Sequence, residues 1–101
     1  MLCAHTVRRL KPGTFDDFAE AFRPPGGEAP PDGWVRFDML RGLSDENVVI
    51  TFGFFDGTLE ELEASQTDHG YAERRRAAED AYVDEVLLNG VYEVAHERVT
   101  A

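Results

Sequence analysis

The run Val48-Val-Ile-Thr-Phe-Gly-Phe-Phe55 constrains this chain more than any other segment. A β-strand sends successive side chains to opposite faces, so a strand with one wet face alternates apolar and polar residues. This run is apolar on both parities: Val49 and Phe55 fall on one, Val48, Ile50, Phe52 and Phe54 on the other. It therefore reads as an inner strand of a sheet covered on both faces. Trp34 to Arg41 ahead of it alternates, with Val35, Phe37 and Met39 on one face and Trp34 and Leu40 opposite. Gly42-Leu-Ser-Asp-Glu-Asn47 supplies turn chemistry between the two, and the pair reads as an antiparallel hairpin.

The flanking segments complete a single unit. The first ten residues read as a strand stopped by Lys11-Pro12-Gly13. Thr14 opens a helix, with Asp17 three residues on in a capping-box-like arrangement and Phe15, Phe18, Ala19 and Phe22 on one face. Residues 23–33 hold four of the five prolines and form a stiff loop, a candidate rim or lid over a pocket. Thr58-Leu-Glu-Glu61 has capping-box spacing and starts a second helix. After a break over residues 65–70 the helix resumes at Tyr71 and is expected to run through Val86, with Asn89-Gly90 as its stop signal. Val91 to Val99 reads as the last strand.

The order β-α-β-β-α-β predicts an α+β fold: a ferredoxin-like, four-stranded antiparallel sheet with the helices on one face. Residues 1–101 form one domain of this kind. One layer of helices covers one face only, so the two-sided apolar strand predicts a second copy on the other face, a homodimer. With 20 acidic and 10 basic side chains, net −10, the chain is not built to track phosphates or anionic lipid, so neither nucleic acid nor membrane is an expected partner. No apolar run approaches the roughly 18–20 residues of a membrane helix, and Met1 to Leu10 has no signal-peptide pattern, so a cytoplasmic location is expected. The lone Cys3 excludes a disulfide framework within the chain.

Five features fall in one order over nearly the whole chain: the strand ending in Leu10-Lys-Pro-Gly13, the Phe-rich helix, the Gly33-Trp…Asp45…Val-Val-Ile-Thr-Phe52 hairpin, the Thr58-Leu-Glu-Glu-Leu62 helix start and a short last strand. In that order they resemble the dimeric α/β-barrel superfamily, most of all its antibiotic-biosynthesis-monooxygenase (ABM) branch. The resemblance implies barrels made by dimerisation and a pocket between each sheet and its own helices. It also implies oxygenation of a hydrophobic or aromatic small molecule with no cofactor: no metal, flavin or haem. Many members carry Trp at the end of the third strand, where Phe54 stands here. Haem-degrading relatives combine Asn, Trp and His; Thr6 stands in place of the Asn and the region near Ala64 has no His, which disfavours that activity. His69-Gly-Tyr71 resembles a His-aromatic pair common in the family.

Candidate chemistry follows from few residues. His5, His69 and His96 are not spaced as metal ligands and no cysteine pair exists, so no metal site is predicted. Nucleotide-binding glycine loops and a GxSxG elbow are missing as well. His5 and His96, on the two terminal strands and able to approach across the sheet, are the candidate catalytic bases. An imidazole with a pKa of about 6.5 suits proton removal from a phenol-like substrate. Trp34, Arg36, Phe52, Phe54, Tyr71 and Tyr82 are the candidate substrate-binding residues, the aromatics lining a dry slot and Arg36 or Arg8 stabilising an oxyanion. The same aromatics also serve as ordinary core. Parity groups Ala4, Thr6, Arg8 and Leu10 against Cys3, His5, Val7 and Arg9 without saying which set faces the helices. Arg74-Arg-Arg76, set among Glu73, Glu79 and Asp80, reads as an ion-paired helix face. The alternative to an enzyme is a non-catalytic metabolite-binding or regulatory barrel dimer.

Overall fold

The computed structural model describes residues 1–22, 32–67 and 71–98. The elements are β1 (Leu2–Leu10), α1 (Phe15–Phe22), β2 (Trp34–Arg41), β3 (Val48–Phe55), α2 (Leu59–Thr67), α3 (Tyr71–Tyr82) and β4 (Val83–Glu93). The strands form one antiparallel sheet in the order β2-β3-β1-β4, which is the ferredoxin-like arrangement. The proposed lid falls largely on residues 23–31, and His69 also lies outside the described residues.

Local chemistry explains the element ends. After β1, Gly13 takes φ +75°, a left-handed turn that glycine alone enters without strain. Thr14 Oγ1 then donates to the Lys11 carbonyl at 2.7 Å, so this threonine closes the turn instead of forming the expected box with Asp17. The box at α2 is complete. Thr58 N–H donates to Glu61 Oε1 at 3.1 Å and Glu61 N–H to Thr58 Oγ1 at 3.2 Å.

Burial settles the parity question. On β1 the buried residues are Thr6, Arg8 and Leu10; on β3 they are Val49, Gly53 and Phe55. These sets face the helices. Leu10, Phe18, Val49 and Ala78 make the core cluster, with Phe15, Phe22, Met39, Tyr82 and Val83 packed around it. The opposite, open face carries Cys3, His5, Val7 and Arg9 beside Val48, Ile50, Phe52 and Phe54, as the pairs His5↔Phe52 and Val7↔Ile50 require.

Two further expectations are corrected. The helix ends at Tyr82, and β4 begins at Val83, where a helix through Val86 and a strand from Val91 were expected. Ala78, Tyr82 and Val86 keep helical spacing, but pairing with the full length of β1, from Leu2↔Glu93 to Leu10↔Val83, overrides it. Bulges between Val7 and Arg8 and between Arg9 and Leu10 let the longer β4 keep register. On β2, a shift between Trp34 and Arg36 expels Val35, which is 56% exposed. That bulge brings Trp34 to the same side as Phe37, with ring centroids 4.7 Å apart, where simple alternation predicted opposite faces. Gly53 leaves room for both rings, since a Cβ there would lie within 2.9 Å of each.

Candidate functional site

The helix face of the sheet holds a polar cluster inside an otherwise apolar layer. Arg8 has no exposure at all. Its Nη1 donates to Thr51 Oγ1 at 2.7 Å and its Nη2 to Glu79 Oε1 at 3.0 Å. The guanidinium lies over the rings of Phe22 and Phe18, at 5.1 and 5.6 Å from their centroids. Glu79 Oε1 also accepts from Arg75 Nε at 2.6 Å, an i,i+4 pair along α3. Arg75 Nη2 reaches Asn89 Oδ1 at 3.1 Å, and Asn89 accepts from Thr6 Oγ1 at 2.9 Å. Four elements are thereby fastened together: β1, β3, α3 and β4.

The electrostatics follow from burial. Burial draws the Arg8 pKa below the ordinary arginine value, while the hydrogen bond and charge of Glu79 act in the opposite sense. Burial would raise the Glu79 carboxyl, but hydrogen bonds from Arg75 and Arg8 outweigh it and hold the group below its usual value. Glu79 is thus a fixed carboxylate, poorly suited to proton transfer at neutral pH.

Above this cluster runs a groove of about 480 Å³ between α2 and α3. Glu63, Gln66, Tyr71, Arg75, Glu79 and Asp80 are among its walls, so Arg75 and Glu79 belong both to the buried cluster and to the groove. Tyr71 meets Phe22 edge-on at 6.0 Å, which fixes that wall against α1.

The residues picked out in the sequence divide between the faces. Tyr71 lines the groove. Trp34 lies on the helix side, where its Nε1 donates to Ser65 Oγ at 2.8 Å. Tyr82 packs against the core at the end of α3 and its carbonyl accepts from Lys11 N–H at 2.8 Å. His5, Arg36, Phe52 and Phe54 are on the open face. His5 stacks on Phe52 at 6.2 Å and meets Tyr92 edge-on at 6.1 Å. Arg36 is committed to Asp38 at 2.7 and 2.8 Å and is exposed. His96 is exposed beyond the end of β4, while His5 pairs with Gly90, so the two histidines are not brought together. On the same open face, burial pushes the Cys3 thiol up, away from nucleophile chemistry.

Of the other cluster members, the sequence named Arg75 and Glu79 only as part of an ion-paired helix face, which the i,i+4 pair bears out, Asn89 as a helix stop and Thr6 as the residue in place of an Asn, and it did not single out Thr51. The usable signals were the i,i+4 spacing of Arg75 and Glu79 and the Thr6-x-Arg8 parity. Among the described residues, no group of three or more His, Cys, Asp or Glu side chains is arranged to hold a metal, and no helix is long and apolar enough to cross a membrane.

No family model matches the sequence, and no curated protein matches it. Solved structures do. A protein of Chloroflexus aurantiacus, provisionally named an antibiotic biosynthesis monooxygenase, aligns at TM-score 0.76 and 12% identity, over 97% of this chain and 96% of its own. One from Nitrosomonas europaea with the same provisional name gives TM-score 0.75 and 19% identity, over 95% and 100%. A third, from Deinococcus radiodurans, gives 0.75 and 14%, over 100% and 98%. The chain has the fold of the ABM domains. At these identities the likeness extends to the fold, and function has to be argued from side chains.

Proposed function

We propose that this chain is an ABM-like, cofactor-independent monooxygenase or a closely related small-molecule enzyme, acting on a hydrophobic or aromatic substrate in the α2–α3 groove. The observation that carries the reading is Arg75 in the groove lining, with its guanidinium held in place by Glu79 and Asn89. In such chemistry an acidic CH₂ of the substrate loses a proton and the resulting enolate reduces dioxygen. A carbon–oxygen bond forms, a hydroperoxide results, and loss of water leaves a carbonyl: CH₂ and O₂ become C=O and H₂O. The protein need supply only a proton acceptor, a cation for the enolate oxygen and a partly dry wall. Among the described residues, Glu63 and Asp80 are the groove carboxylates outside the Arg8–Arg75 cluster and are assigned proton acceptance. Arg75 is assigned the oxyanion, and Tyr71 a wall.

A homodimer is part of the same reading. On the open face Leu40, Leu88 and Tyr92 stay 46–47% exposed beside Phe52 and Phe54. The charges there are paired within the chain, Arg9 with Glu85 at 2.9 Å and Arg36 with Asp38 at 2.7 Å. A chain of net −10 repels its copies, yet this face is neutral and suits self-association.

The test is oxygen uptake with anthrone- and quinol-type substrates, comparing the parent with Arg75→Gln and His5→Ala. The groove reading expects Arg75→Gln to lower kcat/KM by about 10²-fold and His5→Ala to leave it unchanged. Loss of activity in His5→Ala alone would move the site to the open face. A second reading, a non-catalytic metabolite-binding dimer, is favoured by the commitment of Glu79 to two guanidinium groups. Ligand binding without oxygen uptake across the panel would select it.

A further inference from the structure

We propose that the groove receives its ligand by an anionic oxygen, a carboxylate or an ionised enol or phenol, with Arg75 as ion-pair partner. The inference rests on the groove being the substrate site and adds the charge class of the substrate.

The argument is a charge imbalance. Arg8 and Arg75 share one carboxylate, and both bond to the same oxygen, Glu79 Oε1. The other groups joined to them, Thr6, Thr51 and Asn89, are neutral. Two guanidinium groups against one carboxylate leave one positive charge without a counter-ion in the cluster. A buried charge is stable only when paired, and water offers no relief to Arg8, which is fully buried with an Nε that makes no hydrogen bond. Arg75 is different. Its side chain is 24% exposed and forms part of the groove wall, so the excess charge is presented there.

The ligand chemistry follows from the donor. A guanidinium is a planar fork that matches a carboxylate or a paired oxyanion better than any uncharged acceptor. Competing negative charges do not cancel the preference. Glu63 and Asp80 line the same groove but are exposed, as is Arg76 beside them. Exposed charges are screened over about 8 Å at physiological ionic strength and act on association rate more than on affinity. The acidity of the chain as a whole works at the same long range.

The experiment is calorimetric titration of the full chain with two isosteric probes, 2-naphthoate and 2-naphthamide, at low and high salt. Naphthoate should bind about tenfold or more tightly than naphthamide, with the margin shrinking in high salt. Arg75→Gln should abolish the margin and Arg75→Lys should keep most of it, which separates lost charge from lost folding. Equal affinity for the two probes, or a margin that survives in folded Arg75→Gln, overturns the inference and leaves the groove reading in place. Binding of neither probe overturns the inference. A naphthoate preference without oxygen uptake sustains the inference and removes the monooxygenase reading.

Discussion

The two faces of the sheet are made of similar residues and used in different ways. The helix face carries Arg8, Thr6 and Thr51 alongside Leu10, Val49 and Phe55, and it buries the polar groups by pairing them. The open face carries Val7, Ile50, Phe52 and Phe54 half-buried with His5, and it leaves Leu40, Leu88 and Tyr92 exposed to water. Read by hydropathy alone, the open face would be the core. The difference teaches that a covered face is defined by satisfied partners, not by greasier residues. An arginine with zero exposure is tolerable where Glu79, Thr51 and two phenyl rings receive it.

The largest effect expected to sharpen this contrast is at Phe18, the fully buried residue of α1. Phe18→Ala should cost about 3–5 kcal/mol in urea unfolding at every protein concentration. Phe52→Ala on the open face should cost less, and its cost should grow with protein concentration if a second copy covers that face. Light scattering supplies the direct check: an 11.3 kDa particle at micromolar concentration would remove the dimer.

Glu79→Gln comes next, at about 3 kcal/mol, because it leaves the buried Arg8 charge without its carboxylate. The pH dependence has a definite sign. Glu79 is held below the 4.5 of an ordinary glutamate. Its contribution is therefore complete above that value and is lost as pH falls through the lower folded pKa. Acid unfolding of the parent should show this loss below pH 4.5, and Glu79→Gln should flatten it. An unchanged acid limb in the variant would mean that the cluster does not hold the faces apart in stability.

The smallest effect concerns the helix layer itself. Thr58→Ala removes half of the reciprocal cap on α2 and should cost about 1 kcal/mol, read as a shift in thermal midpoint with the groove probes still bound. A much larger loss would show that α2 depends on its cap more than on the burial of Leu62.

Legibility in the sequence varied with the range of the interaction. The inner place of β3 in the sheet, the Thr58–Glu61 cap, the Phe face of α1 and the element order were all readable, because the residue patterns behind them are local to one turn or one strand. The end of α3 was not readable. Its spacing is helical through Val86, and only nine residues of β1 waiting to be paired make Val83–Glu93 a strand. Val35 and Trp34 were misassigned for the same reason, since a bulge on an edge strand is decided by its partner.

The sequence by itself determined an α+β domain with a strand apolar on both sides, because periodicity is a local property of the chain. Only the tertiary structure decided which face of the sheet the helices cover. Both parities of β1 mix apolar and charged residues, so the choice rests on Glu79 and Arg75, which arrive from α3, about 70 residues further along the chain. That choice sent His5 to the open face and Arg8 to the inside, and it placed the candidate site beside Arg75, which the local pattern marked only as an ion-paired helix face.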